Sequence, residues 1–131
     1  MLYQIHRYPA DMIDVVHLSD PDGAPADRVV IRPVLPQDDT LTSAFFQGLS
    51  SAARHARFMA PLREVSPGLL EKFTHVDYAS HLALVAEVFV DGKEHVVAEA
   101  RYALADDGAS AEFAVTVGED WQGRGLASLL L

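Results

Sequence analysis

Glu112-Phe113-Ala114-Val115-Thr116-Val117-Gly118-Glu119-Asp120-Trp121-Gln122-Gly123-Arg124-Gly125-Leu126-Ala127-Ser128-Leu129-Leu130-Leu131 ends the sequence and governs its reading. The first six residues alternate as a strand does. Gly118 to Gly125 carry turn chemistry, and Leu126 onward is apolar at helical spacing. A strand that delivers glycine N–H groups and a helix N-terminus to one place builds an anion site, and a pyrophosphate suits it. Gly123 and Gly125 lack a Cβ, so the chain can close tightly round phosphates. The expected donors are the N–H groups of Gly123, Arg124, Gly125, Leu126 and Ala127. Two other glycine motifs fail. A P-loop needs Gly-Lys-Ser/Thr, which is absent. A dinucleotide fingerprint needs a third glycine where Ser128 stands, and a following strand.

Upstream of this stretch the second half of the chain is β-rich. Leu82, Leu84, Ala86, Val88 and Val90 alternate with Ala83, Val85, Glu87 and Phe89, and both sets are largely apolar. That pattern predicts a central strand covered on both faces. Asp91-Gly92 predicts a tight hairpin turn, Val96 to Ala105 a returning strand, and Asp106-Asp107-Gly108 another turn. Ala109 to Val117 is then the third strand of a meander.

The first half mixes elements. Val29-Val30-Ile31-Arg32-Pro33-Val34 predicts a strand, paired with a weaker one at Val15, Val16 and Leu18 across the turn residues Ser19 to Pro25. Pro36, Asp38 and Asp39 open a helix whose apolar stripe is Leu41, Ala44, Phe45 and Leu49. A short helix is expected over Ser51 to Met59, broken by Pro61. Another starts at Ser66-Pro67 and runs to about His75, burying Leu69, Leu70 and Phe73. Strands and helices in this order give an α+β domain.

Composition bounds the function. With 131 residues, half of them apolar, the chain fits one domain with a moderate core. A net charge of −9 argues against nucleic acid and anionic membrane as partners and suits a cationic one. There is no cysteine, so disulfides and thiolate metal sites are excluded, and a reducing cytoplasm is the expected location. The six histidines show no His-x-x-x-His spacing, so no metal is expected. Arg54, Arg57 and Arg63 read as a solvated helix face, with reception of a phosphate or an acidic substrate as the alternative.

The spacing Gln122-x-x-Gly125-x-Ala127 resembles the acyl-CoA-binding motif of the GNAT acetyltransferase superfamily. The predicted element order resembles that fold from about Val29 to Leu131. His6-Arg7-Tyr8-Pro9-Ala10, Val29 to Pro33, Ala60-Pro61-Leu62-Arg63-Glu64 and Ala111 to Val115 are similar to the GNAT domains of bacterial protein-lysine acetyltransferases. The resemblance implies a GNAT-like, mostly antiparallel mixed sheet flanked by helices, with residues 1–28 as an arm and hairpin strand and 29–131 as the acetyltransferase domain. It implies that the GNAT fold stops short after the acyl-CoA loop, leaving a strand edge for further chain or a homodimer partner to cover.

The resemblance also implies acetyl-CoA as cosubstrate. The backbone of Val115, Thr116 and Val117 would pair with the pantetheine arm and Gln122 would orient the loop. Arg124 would add charge toward a phosphate or else face solvent. Glu112 is the catalytic candidate. It shares a strand face with Ser110, Ala114 and Thr116, and a lysine amine must lose a proton before it attacks. A salt-bridged or solvated sheet carboxylate is the structural alternative. The implied activity is acetyl transfer to a primary amine, with a protein lysine as first choice. A small-molecule amine acetyltransferase and a non-catalytic acyl-CoA-binding module are the alternatives.

Overall fold

A computed structural model describes residues 7–18, 27–50, 67–104 and 107–130. Five strands form one sheet in the order of the chain: β1 Asp14–Leu18, β2 Asp27–Pro33, β3 His81–Val90, β4 Lys93–Leu104 and β5 Ala111–Val117. All four pairings are antiparallel. The sequence predicted β3 as central, and it is the third of five strands, buried on both faces through its middle. The expected helices over Ser51 to Met59 and at the Ser66 cap, with Arg54, Arg57 and Arg63, lie outside the described residues, as do the Ser19 to Pro25 turn and Asp106.

Local chemistry accounts for the connections. Asp91 and Gly92 take φ of 53° and 77°, the pair of left-handed residues that a two-residue hairpin turn requires. Helix α1, Asp39–Gln47, follows a single 3-10 turn at Pro36–Asp38. Asp38 caps that turn by accepting the Leu35 N–H at 2.7 Å. Helix α2 spans Pro67–Thr74 and helix α3 spans Leu126–Leu130. The apolar stripe predicted for α1 is displaced. Phe46 is fully buried and Thr42 and Phe45 are buried, whereas Leu41 is only partly covered.

Two cores result, one on each face of the sheet. Val29, Ile31, Ala86, Val88, Ala98 and Ala100 pack against Leu126 and Leu130 of α3. On the other face Val34, Ala83, Val85 and Val96 pack against Phe45, Phe46 and Leu49 of the α1 region and Phe73 of α2. A β-bulge divides β4 between them. Ala86 pairs Ala98 and Glu87 pairs Val96, so Val97 is the extra residue. Val96 therefore joins the α1 side and Val97 the α3 side.

Candidate functional site: the β5 edge and the glycine loop

Among the described residues β5 pairs only with β4 and leaves its other edge free. Antiparallel pairing turns the backbone groups of alternate residues toward the neighbour and away from it. The Gly118 N–H donates to the Val97 carbonyl at 2.8 Å, so residue 118 faces β4. Counting back by two, Thr116, Ala114 and Glu112 face β4 as well. Phe113, Val115 and Val117 turn their N–H and C=O groups outward. The register agrees. Leu104 donates to Ser80 at 2.8 Å, which aims the even residues of β4 at β3 and the odd ones at β5. Of the three backbone positions expected to meet a pantetheine arm, Val115 and Val117 thus present free-edge groups. Those of Thr116 lie in the β4 ladder.

The loop begins at Gly118, which the sequence marked as turn chemistry without a packing role. A Cβ there would meet the Val97 carbonyl at 3.1 Å, a tight contact, and Phe45 Cε1 at 3.9 Å, an ordinary one, so the bulge in β4 crowds this position. A glycine ending a strand is the signal that could have found it. Glu119–Trp121 forms a 3-10 turn, and the Glu119 carboxylate accepts the Ser50 N–H at 3.1 Å. The Gln122 side-chain amide donates to the outward carbonyl of Val117 at 3.2 Å, folding the loop back on the strand end. Gly123 and Gly125 take φ of 77° and 80°. An added Cβ at either would meet nothing within 4 Å. Both glycines thus answer to backbone conformation, and the space beside them is open.

Leu126 is a core side chain, fully buried, and Ala127 is half-buried. Only their N–H groups can face a ligand, and the first N–H groups of a helix have no intrahelical acceptor. Arg124 corrects an expectation. Its guanidinium donates to the Leu18 carbonyl at 3.2 Å, pairs with Asp27 at 2.9 Å and lies over the Trp121 ring at 4.8 Å. It staples the loop to the open ends of β1 and β2, and the charge expected to face a phosphate or solvent is matched by Asp27. Any phosphate at this loop would be held by backbone donors.

Glu112 stands opposite Ala103 near the start of β5, exposed, with no hydrogen bond or ion pair among the described residues. Strand rise places its Cα roughly 17 Å from that of Val117. Its side of the strand, with Ala114 and Thr116, faces the same way as Glu99 and Arg101 of β4. There the structure holds a cluster the sequence did not reveal. Arg101 grips both oxygens of Glu99 at 3.2 and 2.9 Å, donates to the Phe73 carbonyl at 2.9 Å and lies 2.7 Å from His81 Nε2. Glu99 and Arg101 are both buried. The guanidinium cannot accept, so His81 must offer an unprotonated Nε2 to this contact.

No protein-family model matches the chain. Over 104 residues it is 39% identical to acetyltransferase PA5475 of Pseudomonas aeruginosa, covering 79% of this chain and 56% of that protein. Over 102 residues it is 39% identical to acetyltransferase Pat of Mycolicibacterium smegmatis, covering 77% of this chain and 30% of that protein. The chain thus spans about half or less of the length of these relatives. Among solved structures, the GNAT domain of S. lividans PAT superposes with a TM-score of 0.77 at 30% identity, over 95% of this chain and 70% of that one. With an α+β fold, a meander ending in a free edge and a glycine loop in the matching order, the chain belongs to the GNAT family and resembles the GNAT domains of bacterial Pat-type acetyltransferases.

Proposed function

We propose that the chain carries the acetyl-CoA and acceptor elements of an N-acetyltransferase, acting on a primary amine and, by first choice, on a protein lysine. The observation that carries the reading is the free edge of β5. Outward groups of Val115 and Val117 run directly into a loop with two left-handed glycines and a helix start. The pantetheine arm of acetyl-CoA would pair along that edge. The N–H groups of Gly123 to Ala127 would receive the pyrophosphate. Running the arm back along β5 carries the thioester from the loop toward Glu112, spanning the ~17 Å that strand rise sets between the two ends.

The step itself is direct attack in a ternary complex. The acceptor nitrogen forms a bond to the acyl carbon and the carbon–sulfur bond breaks, releasing the CoA thiolate. The amine proton passes to the Glu112 carboxylate, directly or through a water. The outward N–H of Val115, the nearer of the two edge positions to Glu112, donates to the thioester oxygen as negative charge develops there. The net charge of −9 and the exposed carboxylate suit a cationic acceptor surface.

Calorimetry with acetyl-CoA tests the reading. Gly125→Glu sets a carboxylate against the pyrophosphate but also strains a φ of 80°. Ala127→Glu, placed in the helix, brings the same charge without that strain. Both are expected to lose most of the affinity while keeping a native circular dichroism spectrum. Unchanged affinity in Ala127→Glu overturns the loop assignment.

A further inference from the structure

Between α1, the β3–β4 hairpin end and residues 118–121 lies a cleft of about 450 Å³, within the roughly 300–1,000 Å³ range of small-molecule sites. It adjoins the start of the loop, but neither Glu112 nor any residue from Gln122 to Ala127 lines it, so the expected base and pyrophosphate donors lie outside it. Its walls include Phe45, Leu49, Val96 and Trp121, with Gly48 and Gly118 leaving room between them. Val96 and Val97, at the bulge in β4, both line it.

Among the described residues the polar lining is acidic: Glu119 and Asp120 contribute to it with His95, and no lysine or arginine does. The Glu119 carboxylate is fixed in place by the Ser50 N–H at 3.1 Å. Hydrogen bonding from the Ser50 side chain and then from its N–H holds that carboxyl below its usual range, so it is ionised at neutral pH. Among the described residues Arg124 lies over the Trp121 ring at 4.8 Å, and Asp27 pairs with it at 2.9 Å. Apolar walls with two acids in the lining fit an occupant with a hydrocarbon stem and a positive head. A fatty acid or a phosphate ester has the wrong sign for these carboxylates.

We propose that this cleft is a binding site for a small alkylammonium ligand, its stem between Phe45 and Trp121 and its ammonium against Glu119 and Asp120. The ligand would rest on the residues that begin the glycine loop. The proposal does not depend on acetyl-CoA binding at the loop.

Trp121 is the only tryptophan in the chain, so its fluorescence reports directly on the cleft. Hexylamine, hexanol and hexanoate would be titrated at neutral pH against the wild-type chain. Hexylamine is expected to give a saturable change, hexanol a weaker one and hexanoate none. Glu119→Gln and Asp120→Asn should each weaken hexylamine roughly three-fold, the scale of one exposed charge pair. Ala44→Leu extends a side chain from α1 into the cleft and should abolish the response with an unchanged circular dichroism spectrum. An absent hexylamine response, an equal response to all three probes, or a wild-type response in Ala44→Leu would each overturn the proposal. Calorimetry with acetyl-CoA on the same samples keeps this outcome distinct from that of the loop assignment.

Discussion

The two faces of the sheet are built on different physics. The α3 face is dry: small and β-branched side chains from β2, β3 and β4 meet Leu126 and Leu130. The α1 and α2 face mixes aromatic packing with buried charge. Arg32 forks between Asp38, at 2.7 and 3.0 Å, and Glu87, at 3.1 and 3.3 Å. Arg101 grips Glu99 further along. Burial works against the Arg32 charge, but hydrogen bonds to Asp38 and then Glu87 more than offset it and raise its pKa. An apolar face needs only shape. On the charged face Arg32 ties Asp38, which opens α1, to Glu87 in β3. Glu112 projects on the charged side.

The largest expected effect breaks that contrast outright. Arg32→Ala leaves two buried carboxylates facing each other and should cost about 3–5 kcal/mol in urea unfolding. Replacing Arg32, Asp38 and Glu87 together by apolar residues of similar volume should recover most of the loss. Leu126→Ala on the dry face should cost about 3 kcal/mol, with no charge to compensate. If Arg32→Ala unfolds at the wild-type midpoint, the buried triad does not hold the face together.

Next in size is Glu112→Gln. If the charged face also supplies the base, acyl transfer at neutral pH should fall about 100-fold, close to 2.7 kcal/mol, with acetyl-CoA affinity unchanged. The defect should shrink as pH approaches the amine's own pKa of about 10.4. Full activity of the variant at pH 7 would make Glu112 a surface carboxylate only.

The contrast between the faces also explains what could be read in advance. The dry face follows from alternation along β2, β3 and β4. The hairpin turn follows from Asp91-Gly92, and the loop from its glycines. The charged face was hidden. Glu87 sits within the alternating run of β3, and nothing local says that Arg32, 55 positions earlier, lies 3.1 Å from it. Glu99 and Arg101, two apart on one strand, look like surface charge until α2 and Phe73 cover them. Arg124 failed for the same reason, since its partners Leu18 and Asp27 are about a hundred residues away. The outward direction of Val115 and Val117 needed the pairing register, which alternation alone does not supply.

A smaller effect of opposite sign is expected in α1. The Thr42 hydroxyl is buried with no hydrogen-bond partner among the described residues. Thr42→Val keeps the shape and removes the unsatisfied group, so it should stabilise the chain by about 1 kcal/mol in the same urea assay. A loss of stability would mean that the hydroxyl has a partner in solution.

The smallest effect concerns pH, at the turn from α2 into β3. Asp77 accepts the N–H groups of Ala79, Ser80 and His81 at 2.8–2.9 Å and also binds the Ser80 hydroxyl. The Ser80 side chain, opposed by burial and then aided by the backbone donors, drives its pKa far below the ordinary 3.8. An acid depressed in the native state binds protons more readily when unfolded. Its stabilisation is therefore complete above the unfolded value and is lost as pH falls below about 3.8 toward the native one. Asp77 is largely solvated, so the contribution is a fraction of what the shift alone would give. Asp77→Asn keeps an acceptor oxygen but removes the titration. Its urea midpoint should fall less steeply than the wild type's between pH 5 and 2. The two proteins differ at no other residue. The difference between the two curves therefore isolates Asp77, and parallel curves would show that the turn does not depend on its charge.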